Sequence, residues 1–203
     1  MDLSLGESFQ TTLEDLDSPA AWDGFRPYLA VLASTQMQKE NLARPLLARI
    51  DPEDIVQETL LKAWEHRSQF KGASRGEFLA WLRTMLSNVL MDHLRALLSG
   101  KRNVMLEVRL DLDQTSRNLE AWLAERDAVT PCTRLGREEE VNRLCKAILR
   151  LRPVAKSVIL ARHIEGLTLD QIAARLGKTR EAVAKAWSRA VRQLHELMSE
   201  GPR

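Results

Sequence analysis

Leucines recur at spacings of three and four along the middle of the chain, and this spacing constrains the fold more than any other feature. Six of them share one face of a helix predicted from about Phe78 to Leu98: Leu79, Leu82, Leu86, Leu90, Leu94 and Leu97. Glycine and proline are sparse, and no stretch alternates polar and apolar residues with the period of two that a strand requires. The sequence therefore predicts an all-α fold, with the leucine face turned to a core.

Two further helices are predicted before this one. The first runs from about Trp22 to Met37, with an apolar stripe of Phe25, Leu29 and Leu32. The second begins after Asp51, which matches a helix N-cap and precedes Pro52 in the first turn, and it runs to about His66. The segment Gln69 to Gly76 contains two glycines and is predicted to be a loop.

Formal charge, which is only +2 overall, is strongly segregated along the chain. Residues 1–20 carry −5 and residues 104–140 carry −4, whereas residues 71–103 carry +4 and residues 141–203 carry +8. Together with the helical patterns this predicts an acidic tail (1–20), a helical domain (21–100), an acidic linker (101–139) and a second helical domain (140–203). Within the linker we expect at most a short helix around Leu119–Glu125, and helices resume from Arg137. A basic block of this size is typical of nucleic-acid binding, although a solvated basic surface would look the same.

Composition argues against several other classes of protein. No apolar run approaches the roughly 20 residues that span a bilayer, and the acidic start does not resemble a signal peptide, so a cytoplasmic protein without membrane insertion is expected. Cys132 and Cys145 are too few for a disulfide scaffold or a complete zinc site. The four histidines occur singly and no nucleophile or phosphate-loop motif is present. We therefore expect no enzyme, no metal and no cofactor.

A stretch near the carboxyl end combines the start of one helix, its end and the start of another. Thr168 and Gln171 match a capping box, and Gly177 stands where a left-handed residue would end the helix. Thr179 would cap a second helix from Arg180 to about Met198. Two helices joined by such a turn form the helix-turn-helix motif, whose second helix enters the major groove of DNA.

Each of these two helices has an apolar and a polar face. Residues predicted to pack between them are Leu169, Ile172, Ala173, Leu176, Ala182, Val183, Ala186, Val191 and Leu194, with Ala173 and Ala182 allowing close approach and Trp187 as a core anchor. The outward face would present Arg180, Glu181, Lys185, Ser188, Arg189 and Arg192. Arg and Lys at these steps can contact phosphates or guanine edges. A helical hairpin with a charged solvent face is the alternative.

The helix after Asp51 also has two contrasting faces. Its core face is predicted to hold Val56, Leu60, Ala63 and Trp64, and its opposite face Asp54, Gln57, Glu58 and Leu61. Clustered carboxylates repel one another unless water or a basic partner screens them. This face is therefore either solvated or a docking surface.

With these features the chain resembles a bacterial RNA polymerase sigma factor of the extracytoplasmic-function group of the sigma-70 family. Three segments in order carry the resemblance: DPEDIVQETLLKAW and FKGASRGEFLAWLRTMLSNVLMDHLR look like the family's region 2, and LRPVAKSVILARHIEGLTLDQIAARLGKTREAVAKAWSRAVRQL looks like its region 4. The match covers about residues 22–100 and 140–197. The resemblance implies a region-2 helical bundle and a region-4 helix-turn-helix domain joined by the linker.

The resemblance also implies roles for three sets of residues. The set expected to bind core RNA polymerase is Asp51, Glu53, Asp54, Gln57, Glu58 and Leu61. The set expected to capture and hold the minus-ten promoter element, around the loop from Phe70 to Glu77, is Phe70, Lys71, Arg75, Arg83, Asn88 and Arg95. The set expected to read the minus-thirty-five element is Lys178, Thr179, Arg180, Lys185, Ser188, Arg189 and Arg192. Trp81 is expected to belong to the core, and His93 to be packed or solvated and not a ligand.

The expected partners are therefore core RNA polymerase and promoter DNA, both duplex and melted. An anti-sigma protein is a candidate regulator. The free factor is expected to be a monomer. Two positions depart from the family: Ala184 stands where a basic residue is common, and Glu181 where a small glycine is common. Because of these departures, the resemblance does not determine which promoter sequence the chain would read. The alternative is a stand-alone helix-turn-helix regulator, which would usually dimerise to match two half-sites.

Overall fold

The structure, a computed structural model of the 203-residue chain, describes residues 19–39, 50–97, 111–126 and 134–199. Within these ranges the regular elements are all helical, which confirms the predicted fold class. The predictions for the acidic tail up to residue 18, for residues 40–49, for the segment Ser99–Asn103 and for Cys132 lie outside the described residues. The chain divides into two compact units between Asp113 and Gln114.

The first unit is built from α1 (Pro19–Asp23), α2 (Arg26–Gln38), α3 (Pro52–Glu65), a 3-10 turn (Arg67–Gln69) and α4 (Arg75–Leu97). The prediction of one helix from Trp22 to Met37 was wrong, because the chain turns at Gly24 and Pro27 occupies the first turn of a new helix. Helix α3 packs against both α2 and α4. Phe25, Leu29 and Leu32 are buried as predicted.

Helix α4 presents a somewhat different core face from the one predicted. Four leucines of the predicted face are completely buried: Leu82, Leu86, Leu90 and Leu94. Leu79 is only half-buried and Leu97 is 39% exposed. At the start of the helix Phe78 takes the buried place, because its ring packs in an aromatic cluster with Trp22, Phe25, Phe70 and Trp81.

The remaining helices are α5 (Leu112–Arg126), which begins at the unit boundary, α6 (Arg134–Leu149), α7 (Pro153–Ile159), α8 (Leu169–Leu176) and α9 (Arg180–Ser199). A π-helical turn, Leu160–Ile164, continues α7. Helix α9 packs against α6, α7 and α8. The buried residues of α6 and α7 include Leu144, Ile148 and Val158.

Helix α5 is longer than the short helix predicted around Leu119–Glu125. Its buried residues include Leu112, Thr115, Ser116 and Leu119, which follow the helical spacing of three and four. Two of the four are polar, so an apolar pattern could not reveal the first half of the helix.

Candidate nucleic-acid and protein interfaces

The predicted start and end of helix α8 are confirmed. Thr168 Oγ1 accepts a hydrogen bond from the Gln171 amide (3.2 Å), and Gln171 Oε1 accepts one from the Thr168 amide (2.8 Å). Gly177 lies in the left-handed region with φ 60° and ψ 39°. The Lys178 amide then donates to the Ala173 carbonyl (3.0 Å), which closes the helix end before the turn.

The second helix of the motif is also capped as predicted. Thr179 Oγ1 accepts from the Ala182 amide at 3.2 Å, and α9 begins at Arg180. Ala173 packs in the same apolar cluster as Val183, but Ala182 is exposed, so its predicted packing role was wrong. The reason is the direction of the helix face: Val183 and Leu194 turn inward, and the neighbouring Ala182 falls beside that stripe.

The outward side of the motif carries what we call the recognition face. All seven residues are exposed: Lys178, Thr179, Arg180, Lys185, Ser188, Arg189 and Arg192. Arg180 Nε lies 3.4 Å from an Asp170 carboxylate oxygen, with both side chains more than half exposed. Such surface pairs are weak, so the Arg180 guanidinium could leave Asp170 and bind a DNA phosphate at little cost in free energy. The face is therefore a solvated strip of polar and cationic side chains that runs from the turn to beyond the middle of α9.

A histidine that the sequence did not single out connects three elements of this unit. His163, in the π-helical turn, stacks on Trp122 of α5 with ring centroids 4.2 Å apart. Trp187 of α9 donates its indole N–H to His163 Nε2 at 3.0 Å. Burial, with a smaller contribution from Arg162, lowers the pKa of His163 to about 4. The imidazole is consequently neutral near pH 7, and Trp187 packs against the core as predicted.

One basic residue of the second unit is bound in a buried ion pair and is not available to DNA. Arg175 Nη1 lies 2.9 Å from each oxygen of the Glu165 carboxylate, and the two side chains are 9% and 5% exposed. Because both charges are taken up internally, Arg175 belongs to the packing of the motif.

The acidic side of α3 is exposed over most of its length. Asp51 caps the helix by accepting from the Glu53 amide at 2.9 Å, and Glu53 pairs with Arg26. Asp54 and Gln57 are exposed, and Leu61 has 54% of its surface exposed. Asp54, Gln57 and Leu61 therefore form a solvent-exposed face that combines a carboxylate, an amide and an apolar side chain.

Glu58 differs from its neighbours on this face. It is half-buried, with Oε1 2.8 Å from Lys62 Nζ and Oε2 2.7 Å from His93 Nε2. The hydrogen bond from Lys62, followed by that from His93, lowers the pKa of the Glu58 carboxyl, and Glu58 in turn raises the pKa of Lys62. Glu58 therefore links α3 to α4, a role that helical spacing could not reveal because His93 lies 35 residues further along the chain.

Trp64 was predicted on the core face of α3, and this was wrong. It is 39% exposed, with the Arg67 guanidinium 4.7 Å from the ring centroid. Ile55 and Thr59 complete the buried face with Val56, Leu60 and Ala63. The exposed indole and Leu61 together leave apolar surface on α3 open to solvent.

Residues of the expected minus-ten set differ in how available they are. Lys71, Asn88 and Arg95 are exposed, with Arg95 paired to Asp92 on the surface. Phe70 packs on Phe78 and Trp81, with ring centroids 5.2 and 5.7 Å apart.

Two arginines of that set are engaged inside the unit. The Arg75 guanidinium lies 5.1 Å from the Phe25 ring centroid. Arg83 Nε is 2.6 Å from Asp113 and its Nη1 donates to the Tyr28 hydroxyl at 3.0 Å, which leaves the side chain 17% exposed. Arg83 thus holds α2, α4 and the start of α5 together within the first unit.

The loop before α4 is fixed by a capping box that was not predicted from the sequence. Glu77 Oε2 accepts from the amides of Ala73 (2.8 Å) and Ser74 (3.1 Å), and Ser74 Oγ accepts from the Glu77 amide (3.3 Å). These hydrogen bonds, that of Ala73 first, lower the pKa of Glu77. The Ser-x-x-Glu pattern was readable as a helix start, but the loop prediction ran past it to Gly76.

Within the described ranges, no group of three or more His, Cys, Asp or Glu side chains could hold a metal ion. Burial raises the pKa of the Cys145 thiol. Among the same residues, no helix is both long and apolar enough to cross a membrane.

Two family models match the chain, one in each of the two units. The family description "Sigma-70 region 2" matches residues 40–98, and "Sigma-70, region 4" matches residues 142–194, together more than half of the chain. The ECF RNA polymerase sigma factor BldN of Streptomyces coelicolor is 29% identical over 151 residues, which are 74% of this chain and 52% of that protein. The ECF RNA polymerase sigma factor SigG of Mycobacterium tuberculosis is 31% identical over 160 residues, 72% of this chain and 42% of that protein.

This chain therefore spans about half the length of these two relatives. Among solved structures, the sigma factor RpoE in complex with the anti-sigma factor NepR from Bartonella quintana is 20% identical, with a TM-score of 0.31 over 97% of this chain and 99% of that one.

Proposed function

We propose, because the chain belongs to the sigma-70 family in its extracytoplasmic-function group, that it is a transcription initiation factor. It would bind core RNA polymerase, direct it to specific promoters and help to melt the minus-ten element. The bond-forming chemistry would be the polymerase's, so the chain would act as a non-enzymatic subunit in the cytoplasm.

The observation that carries the proposal is the presence of two chemically opposite faces on two separate units. The recognition face on α9 offers cations to duplex DNA, while the α3 face offers carboxylates beside the exposed apolar side chains of Leu61 and Trp64. A protein that bound DNA alone would need only the first. The second favours a protein partner with basic and apolar groups, as a docking site on polymerase would provide.

We propose that Asp54, Gln57 and Leu61 make the direct contacts with polymerase. Glu58 is held by Lys62 and His93, so it would support the face from behind rather than contact the partner. Reversing the charge of Glu58 would disturb the packing of α3 on α4, and failure to bind in that variant would be ambiguous. Asp54 is the cleaner position for a test because it is exposed.

Asp54→Lys should abolish co-elution of the full chain with core polymerase and leave the circular dichroism spectrum unchanged. The substitution reverses a charge in the first turn of α3, and this costs about 0.3–1 kcal/mol of stability, too little to unfold the unit. Glu196→Lys, an equal charge change at an exposed position of α9, is the matched control and should co-elute like the wild type. Unchanged binding of the Asp54→Lys variant would refute the assignment of this face.

The function itself is tested by run-off transcription with purified core polymerase on a library of genomic promoter fragments. Discrete products that depend on this chain support the proposal. The absence of any such product, together with failure to co-elute with core, would refute it. Tight binding of the free protein to a palindromic operator would instead indicate a stand-alone regulator.

A further inference from the structure

We propose that Glu77 is a positioning residue for the capture of a promoter base, and that it acts by fixing the backbone of the loop from Phe70 to Ser74. This inference rests on the proposed function, because the loop belongs to the segment expected to take up an unstacked base of the minus-ten element. Glu77 itself would not touch the DNA. It would set the conformation of the residues that do.

The first support is the way one carboxylate oxygen holds two successive peptide groups. Glu77 Oε2 accepts from both the Ala73 and the Ser74 amides, and the Glu77 amide in turn donates to Ser74 Oγ. Because peptide units are planar, fixing two adjacent N–H directions fixes the path of the chain between them. The loop is thereby joined rigidly to the first turn of α4.

The second support comes from the middle of the loop, where a glycine is required for steric reasons. A Cβ atom at Gly72 would lie 2.7 Å from Phe70 Cε2 and 3.0 Å from Glu77 Cβ. The Phe70 ring could not withdraw freely, because it packs edge-on against Phe78 and is tilted against Trp81. Gly72 therefore lets the loop lie flat between the aromatic cluster and the Glu77 cap.

These two anchors leave the side chains on either side of Gly72 presented to solvent from a fixed backbone. Lys71 and Ala73 are exposed, while Phe70 and Gly72 on either side of Lys71 are partly buried. Taking a nucleobase out of its stack already costs free energy, so a receiving loop that must also be ordered would bind weakly. Ordering the loop before DNA arrives removes that second cost.

The test uses the full chain bound to core polymerase and a fork-junction DNA taken from a promoter found in the run-off library. In this DNA each single-stranded base of the minus-ten element is replaced in turn by an abasic site. With the wild type, removal of the captured base should weaken binding by roughly tenfold, the scale of one base stacked on protein. With Glu77→Ala, binding to the intact fork should fall by roughly threefold to tenfold, the scale of removing a helix cap, and the same abasic site should then have little further effect.

Three comparisons separate positioning from a general decrease in stability. Glu77→Gln retains an acceptor oxygen suited to a capping box and should restore both binding and the abasic effect. Thr59→Ala, a buried change in α3 away from the loop, should lower the melting temperature but keep the full abasic effect. Gly72→Ala should weaken fork binding and the abasic effect as Glu77→Ala does, although the Glu77 carboxylate and the Ala73 and Ser74 amides are all still present in that variant.

Amide hydrogen exchange provides a readout that does not depend on DNA. In Glu77→Ala the amides of Ala73 and Ser74 should exchange faster, while those in the middle of α4 remain protected. A full abasic effect in Glu77→Ala, or unchanged exchange at these two amides, would overturn the inference and leave the proposed function standing. If the wild type yields no promoter product, the proposed function fails, and base capture by this loop fails with it.

Discussion

Glu58 and Arg83 are charged residues whose side chains are bound by other residues of the first unit. Helical spacing placed Glu58 on the acidic side of α3, and the structure bonds it to Lys62 and His93. Arg83 was expected to be a DNA contact, yet its guanidinium is bound by Asp113 and Tyr28. In both cases at least one partner lies 30 or more residues away, a distance at which local spacing carries no information.

His163 should make the stability of the second unit depend on pH. Its pKa is about 4 in the folded protein, lowered mainly by burial, against an ordinary value of 6.5. Between these values the unfolded chain binds more protons than the folded one, so stability is highest above pH 6.5 and falls as the pH is lowered towards 4. Protonation also removes the lone pair that accepts the Trp187 indole N–H.

The measurement is the urea midpoint of the full chain at several pH values between about 7 and about 4, the interval in which the two protonation states differ. His163→Gln keeps an acceptor for Trp187 and should show a shallower decline than the wild type over this interval. His195→Gln, at an exposed position of α9, should decline like the wild type. An identical decline in His163→Gln and the wild type would contradict the assignment.

At the scale of the element, helix ends were predicted most accurately where the signal is local. Asp51, Thr168, Gly177 and Thr179 all perform the capping roles that their neighbours in sequence indicated. Apolar patterning was less reliable, since Trp64 and Ala182 fit a helical stripe and are nevertheless exposed. A cap depends on residues within four positions, whereas burial depends on which helix lies opposite.

Gly177→Ala should destabilise the helix-turn-helix by about 1 kcal/mol, because a Cβ at a left-handed residue is sterically disfavoured. The φ of Gly177 is 60°, and open space surrounds the position where a Cβ would stand, so backbone strain alone determines the decrease. Gly177→Asn should be destabilised less, since asparagine tolerates this region. Urea denaturation followed by tryptophan fluorescence provides the comparison, and equal stability of the alanine variant and the wild type would count against this role for Gly177.

For the molecule as a whole, a net charge of +2 is the result of cancellation between segments. The second unit carries the recognition face, while the α3 face and the sequence before residue 20 are acidic. Such segregation suits a protein that must bind a polyanion at one surface and a protein at another.

The salt dependence of promoter binding should report the recognition face directly. Lys185→Ala with Arg189→Ala, assayed in the polymerase-bound full chain, should reduce the slope of log Kobs against log salt by roughly 0.9 for each phosphate that is no longer neutralised. Arg143→Ala, whose side chain pairs with Glu140 on α6, is the control and should leave the slope unchanged. A double variant with the wild-type slope would show that these two side chains do not bind phosphates.

The sequence by itself determined the helical class, the caps of α3, α8 and α9, the helix-turn-helix and the positions of the charged faces, because each depends on residues a few positions apart. Only the tertiary structure decided which charges remain available: Glu58, Arg83 and Arg175 are bound internally, whereas Asp54, Lys71 and Arg189 are exposed. It also decided that the loop before α4 is held by Glu77 and an aromatic cluster. The physical reason is that charge and propensity belong to the local chain, whereas burial and pairing depend on what folding brings together.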